Sequence, residues 1–419
     1  MLILRWVIAA GATVLIAQDN APDPPTRLET IERERAEKAK HLAPETLTRS
    51  ERFFETLTRR DVPDKIFGMF PGLRVKFGGL YTGSGFALGP EYFRPDLANG
   101  NAVFSASLVG STRKYYAIET VLSFPHIAAN RFEVDFMARR NYAPSVSYFG
   151  PSRFSQRRRR TNYLKEETSF DMRAGWRPFH RWLLMGASGG YTLFNTSRGR
   201  EDNFPSIERF FRPLPLTTQN PVFRATLVPG LDMQSNFFRY GPFAELDFRD
   251  SAGDPHKGSH ALVRYILYRD SLHSRYSFAR LEIGMEHYIP VLNRKRVFAI
   301  RAKTELIYSA AGHLAPFYVQ PTLGGSDDLR GFHRFRFCDN NVLVFNGEYR
   351  WEVFPALDMA AFVDTGKVFN RKNEFDLRNM EFAGGLGFRI KTRDRVAMRI
   401  DAGVGREGVR LWLKFNNAF

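Results

Sequence analysis

The chain has a single cysteine, Cys338, among its 419 residues. That excludes an intramolecular disulfide and any cysteine-based zinc site. None of its nine histidines stands in an H-E-x-x-H segment, and no metal or other cofactor is expected. Past the N-terminus there is no run of about 18 apolar residues, so no transmembrane helix is readable. Acids are in deficit, 44 against 61 Lys and Arg, which leaves a formal charge of +17. Such a balance invites a nucleic-acid reading, but the bases are spread along the chain with acids between them, and that spread points away from it.

What is present is aromatic and glycine-rich: 39 Phe, 33 Gly, and aromatics at 14%. Mean hydropathy is nonetheless negative. A membrane β-barrel combines these properties, because its lipid face and its lumen face cancel in any average. At the N-terminus, Arg5 followed by the apolar stretch Trp6 to Ile16 reads as a secretory signal over 1–17, with a mature start at Gln18. Residues 18–70 read as a short periplasmic extension with two helix-prone pieces, Thr30 to Lys40 and Glu45 to Arg60.

From residue 71 to 419 the dominant signal has period two. Phe132, Val134 and Phe136 point one way, and Arg131, Glu133 and Asp135 the other. Phe382, Leu386, Phe388 and Ile390 oppose Glu381, Arg389 and Lys391, while Val396, Met398 and Ile400 oppose Arg399 and Asp401. Acids and bases sharing one face of the same strand suit a hydrated lumen better than the outside of a soluble sandwich. About sixteen candidate strands follow, from 72–81 to 408–416. The long connections, 142–165, 195–238, 310–340 and 367–379, all fall on one side, and short turns such as Pro125 to Asn130 fall on the other. Long loops outside and short turns inside is the outer-membrane arrangement. The fold class expected is therefore all-β: a transmembrane antiparallel β-barrel, monomeric, in the outer membrane, against outer-membrane lipid and lipopolysaccharide.

The sharpest motif is on the 310–340 connection, which holds Gly324-Gly325-Ser326-Asp327-Asp328-Leu329-Arg330-Gly331-Phe332. Gly324, Gly325 and Gly331 permit positive φ and close backbone approach. Glu348 and Asp364 stand on the polar faces of the next two strands, so a guanidinium entering the lumen can pair with a carboxylate there. That pairing serves as a structural fastening of the loop, with a part in a lateral gate as the second role.

Leu329-Arg330-Gly331-Phe332 resembles the Val/Ile-Arg-Gly-Phe motif of the sixth extracellular loop in the bacterial surface antigen family, the superfamily of the BamA and TamA insertases and the two-partner secretion transporters. Glu348 in Gly-Glu-Tyr-Arg and Asp364 in Phe-Val-Asp-Thr-Gly match the family's acids on the two strands after that loop. Leu329 replaces the usual β-branched residue. The resemblance implies a sixteen-stranded barrel with an internal loop lock and a weak seam between first and last strands. It also implies insertion or translocation of proteins or lipids, with a client protein or a separate periplasmic partner. Family members usually carry N-terminal POTRA domains, and residues 18–70 are too few for one, so a minimal member is expected.

Two other readings remain open. The first is a passive or selective pore constricted by loop 310–340. The second is a lipid hydrolase on Gly186-Ala187-Ser188-Gly189-Gly190, which fits G-x-S-x-G but lies mid-strand, without the strand-to-helix turn that chemistry needs. No catalytic residue is assigned. Arg157 to Arg160, on an outside loop, fits a solvated charge run or a set of ligands for lipopolysaccharide phosphates. The terminal Phe419 follows an alternating strand and resembles the aromatic C-terminal signature of outer-membrane barrels.

Overall fold

The computed structural model describes Glu37 and residues 68–415, apart from 71, 79, 82–83, 180–181, 212–227, 292–294, 355 and 392–394. The chain divides into Met1–Ser50 and Glu51–Phe419, and the fold described is that of the second unit. The expected leader, the two helix-prone pieces of the extension apart from Glu37, and Phe419 lie outside the described residues.

Strand β1 (Gly68–Phe70) is short and pairs with β2 (Leu73–Phe77). After these come β3 (Ala87–Leu97), β4 (Ala102–Ser111), β5 (Tyr116–Ile127), β6 (Phe132–Tyr148), β7 (Thr161–Trp176) and β8 (Leu183–Arg198). A five-residue helix, α1 (Ile207–Phe211), interrupts the next connection. Then follow β9 (Phe237–Asp247), β10 (Gly258–Asp270), β11 (Phe278–Val291) and β12 (Arg296–Tyr308). β13 (Thr322–Leu323) and β14 (Phe337–Cys338) form a small hairpin within the connection 309–340. β15 (Asn341–Phe354), β16 (Leu357–Phe369), β17 (Glu381–Lys391), β18 (Val396–Gly405) and β19 (Gly408–Phe415) complete the sheet. Sixteen of these, β2–β12 and β15–β19, run antiparallel in sequence order with β19 beside β2, and make a nearly closed barrel.

The alternation decides which face goes where. Phe382 is 62% exposed and Leu411 76%, whereas Arg389 and Asp401, on the opposite faces of neighbouring positions, are 0% exposed. A soluble protein sorts the other way. Apolar side chains outside and ion pairs inside belong to a barrel whose outer solvent is lipid. The lumen wall is laced with pairs such as Arg239–Asp171 at 2.6 Å, Arg173–Glu245 at 2.7 Å and Lys391–Asp358 at 2.8 Å.

Two boundaries differ from the sequence reading. β6 and β7 extend to Tyr148 and back from Thr161, well into the expected 142–165 loop. Their ladder absorbs Pro144 at a bulge between Ala143 and Val146, where a proline's missing N–H costs no ladder bond. β2 is shorter than expected and stops at Phe77, because Gly78 at φ +71° and Gly85 at φ +86° turn the chain away before β3. The four long connections stay on one side, now bounded as 149–160, 199–236, 309–340 and 370–380.

Candidate functional site: a buried guanidinium–carboxylate lock

The 309–340 connection folds back into the barrel. Its β13–β14 hairpin closes a tongue, residues 324–336, whose turns are set by Gly324 at φ +114° and Gly325 at φ +104°. Leu329 and Phe332, both 0% exposed, join Leu323, Phe337, Val342, Val344 and Val368 in an apolar cluster within the barrel. Burial of these two side chains draws the tongue inward, at roughly 1.5–3 kcal/mol each. Between them, Arg330 is carried to the strand wall.

Arg330 is 2% exposed, and both sequence-expected partners meet it. Its Nε and Nη2 donate to Asp364 Oδ2 and Oδ1 at 2.8 and 2.6 Å, and its backbone N–H donates to Asp364 Oδ2 at 3.0 Å. Its Nη1 donates to Glu348 Oε1. The guanidinium also lies flat on Phe362, 3.5 Å from the ring centroid, a stacking that suits arginine and not lysine. Glu348 is a hub: its Oε1 accepts from Arg389 Nη2 at 2.9 Å and its Oε2 from Arg350 Nε at 2.8 Å. Asp401 accepts from Arg389 Nη1 at 2.6 Å, with Arg399 Nε at 3.0 Å. Four guanidinium groups thus surround three carboxylates, and each carboxylate touches at least one of them.

Sequence reasoning found Arg330, Glu348 and Asp364 but missed Asp401, Arg350, Arg389 and Arg399 as members of the same network. Their lumen-facing parity was the available signal. Which lumen positions share a height in the barrel depends on strand stagger, and alternation alone does not carry it. Also missed was the pad on which the tongue lies. Gly331 is not a positive-φ residue. A Cβ there would stand 2.6 Å from Gly405 N and 2.7 Å from Val404 C, so its function is close approach alone. Gly403 answers it from β18, since a Cβ there would meet the Arg330 carbonyl oxygen at 2.5 Å. Trp412 Nε1 of β19 donates to that same oxygen at 2.6 Å. Lys414 of β19 reaches Asp327; burial alone would raise that carboxyl, but Lys414 overrides it and holds the carboxyl at about 2.

Above the tongue, Phe317, Tyr318 and Val319 pack with Tyr148, Tyr163, Phe194, Phe237 and Phe278 into an aromatic roof. Lys165 Nζ and Arg280 Nη2 bind the Tyr318 and Val319 carbonyls beneath it. Cys338 belongs to the roof; it is 2% exposed, and burial, with Asp339 beside it, pushes its thiol up. Ser188 sits mid-strand in β8, opposite Arg173 and Gly241 in the ladders, so the nucleophile turn of a hydrolase is not built there. His256 and His260 are four apart, but one lies on a turn and the other on β10, bonded to Glu245. No metal-ligating group of side chains occurs among the described residues.

Residues 232–405 match the Omp85 superfamily domain, the stretch from β9 to β18 that contains the whole charged network. No curated protein matches the chain. Among solved structures it is similar to BamA from Haemophilus ducreyi lacking POTRA domains 1–3, with TM-score 0.57 and 13% identity over 82% of this chain and 69% of that one. It is also similar to CdiB from Escherichia coli, with TM-score 0.52 and 11% identity over 82% of this chain and 62% of that one. At such identities the likeness is one of fold.

Proposed function

From an Omp85 superfamily domain over residues 232–405 of an outer-membrane barrel, we propose that the chain inserts or translocates a polar client, protein or lipid, at the outer membrane through its first–last strand seam. The observation that carries this reading is an asymmetry. The tongue is bound to β15, β16, β18 and β19 by Arg330, Asp327 and Trp412, which makes the C-terminal strands one braced unit. On the other side of the seam β2 has five residues, against seventeen in β6. Backbone pairing along a five-residue strand supplies few ladder bonds, and the closure between β19 and β2 is the cheapest place to part the barrel. An aromatic roof over an occupied lumen favours lateral transfer over free passage along the axis.

The test is a seam staple. A Cβ on Gly78 would stand 3.5 Å from the Phe415 Cβ, within the 3.5–4.5 Å of disulfides. Gly78→Cys with Phe415→Cys, in a Cys338→Ser background, is expected to cross-link under oxidation, although the φ of +71° at residue 78 costs a cysteine about 1–2 kcal/mol. In cells whose only copy is this variant, the oxidised form should shift the outer-membrane proteome or lipid asymmetry, and reductant should reverse the shift. Full activity of the cross-linked barrel would sink the seam. Steady, solute-selective conductance steps of the cross-linked barrel in planar bilayers would establish the pore instead.

A further inference from the structure

The 149–160 connection between β6 and β7 crosses to the far side of the barrel. There Arg157 Nη1 donates to the Glu407 carbonyl at 2.7 Å, and Ser155 receives Arg336 Nη1 and Nη2 at 2.7 and 2.8 Å. Between this connection and the β18–β19 turn lies a cleft of about 810 Å³, within the ~300–1,000 Å³ of built ligand sites. Its two carboxylates are already engaged. Glu407 pairs with Arg336 at 2.7 Å, and Glu381 takes both arms of Arg406 at 2.6 Å. Arg153 and Arg158 also line the cleft, and among the described residues neither has a carboxylate within ion-pair distance. The charge of the cleft is therefore uncompensated by the protein.

Neighbouring groups report the same field. Burial, followed by the guanidinium groups of Arg410, Arg160, Arg157 and Arg336, holds His333 down at about 4. The height of the cleft is fixed by what lies below it: Phe382, Val404 and Val409, next to its wall residues Glu381, Arg406 and Glu407, are 62%, 53% and 64% exposed on the lipid face. The cleft opens where apolar wall gives way to polar rim, the level of outer-leaflet headgroups.

We propose that this cleft binds the phosphate groups of a phosphorylated outer-leaflet glycolipid, with Arg153, Arg157 and Arg158 as its ligands. Forked guanidinium donors match phosphate oxygens, and the bonds from Arg336 to Ser155 and from Arg157 to the Glu407 carbonyl anchor the connection that carries those donors. Because one wall is the 149–160 connection and the other is β17–β19, a bound headgroup ties together elements on opposite sides of the first–last strand seam.

The test uses the full chain in phosphatidylcholine nanodiscs, titrated with bis-phosphorylated lipid A, with its dephosphorylated form and with inorganic phosphate, and read by native mass spectrometry. Bis-phosphorylated lipid A should be retained and the dephosphorylated form should not. Arg153→Ser with Arg158→Ser should weaken retention about tenfold or more while heat-modifiable migration stays intact. Arg153→Lys with Arg158→Lys, which keeps the charge, should recover part of it. Equal retention of the dephosphorylated lipid, or by the folded serine variant, overturns the proposal. Displacement by millimolar inorganic phosphate overturns the lipid as the source of the phosphate. The comparison of the two lipids on the unsubstituted chain needs no variant to fold.

Discussion

Replacing Arg330 by alanine is expected to destabilise the barrel by about 3–5 kcal/mol, the usual cost of orphaning one side of a desolvated ion pair. The loss falls unevenly. Glu348 keeps Arg350 and Arg389, and Asp401 keeps Arg389 and Arg399. Asp364, at 0% exposure, keeps only Asn346 Nδ2 at 2.7 Å and a backbone N–H. The penalty is therefore concentrated on one carboxylate, and Asp364→Ala should cost much less in the Arg330→Ala background than in the unsubstituted chain. That coupling should lie at the upper end of the 0.5–3 kcal/mol seen for direct partners. Arg330→Lys should rescue little, since an ammonium cannot reach Glu348 and both Asp364 oxygens while stacking on Phe362. Urea unfolding in detergent measures the stability. The lone thiol measures the loop: Cys338 is buried in the roof above the tongue, and maleimide labelling should be slow in the parent and faster by an order of magnitude or more in Arg330→Ala. An unchanged midpoint and labelling rate in a folded variant would show that Arg330 locks nothing.

The barrel was legible in the sequence because strand period and loop asymmetry are local properties. Phe132, Glu133 and Val134 carry their facing in their order, and the same parity placed Arg389, Arg399 and Asp401 on the lumen side. The centre of the lock was legible too, because Arg330 lies on a glycine-flanked loop and Glu348 and Asp364 on polar faces nearby in sequence. The rest of the network depends on which residues of β15, β16, β17 and β18 stand at one height, as Asp364 opposite Ala383 and Arg389 opposite Arg399 do. Register of that kind is set by ladder pairing across long loops, so no single strand discloses it. The extension of β6 into the expected 142–165 loop was hidden for a similar reason: it depends on pairing with β7, where Pro144 is accommodated at a bulge. The Arg157–Arg160 run could be placed on an outside loop from its sequence. Its contact with Glu407, 250 residues away, arises only once the barrel has closed.

The second large effect is expected from the smallest change. Gly331→Ala adds one methyl group where Gly405 N, Val404 C and Ala383 Cβ stand 2.6, 2.7 and 2.8 Å away. Two of those three atoms are backbone of the barrel wall and cannot rotate aside, so the tongue must lift. Lifting it stretches the Trp412 bond to the Arg330 carbonyl and withdraws the guanidinium from Asp364, adding lost charge pairing to an overpacking cost of about 1–3 kcal/mol. Gly403→Ala presses on the same interface from the strand side, against Arg330 O and C at 2.5 and 2.6 Å. Once either substitution has raised the tongue the other meets open space, and the double variant should be less destabilised than the sum of the singles. Gly347→Ala and Gly384→Ala are the controls. A Cβ there meets nothing closer than 4.0 and 3.6 Å, and alanine in a strand interior should be neutral or mildly stabilising. Should Gly331→Ala keep Cys338 protected and unfold with the controls, close approach of the tongue to β18 is not what seats Arg330. The buried pairs would then have to hold the loop without the glycine pad.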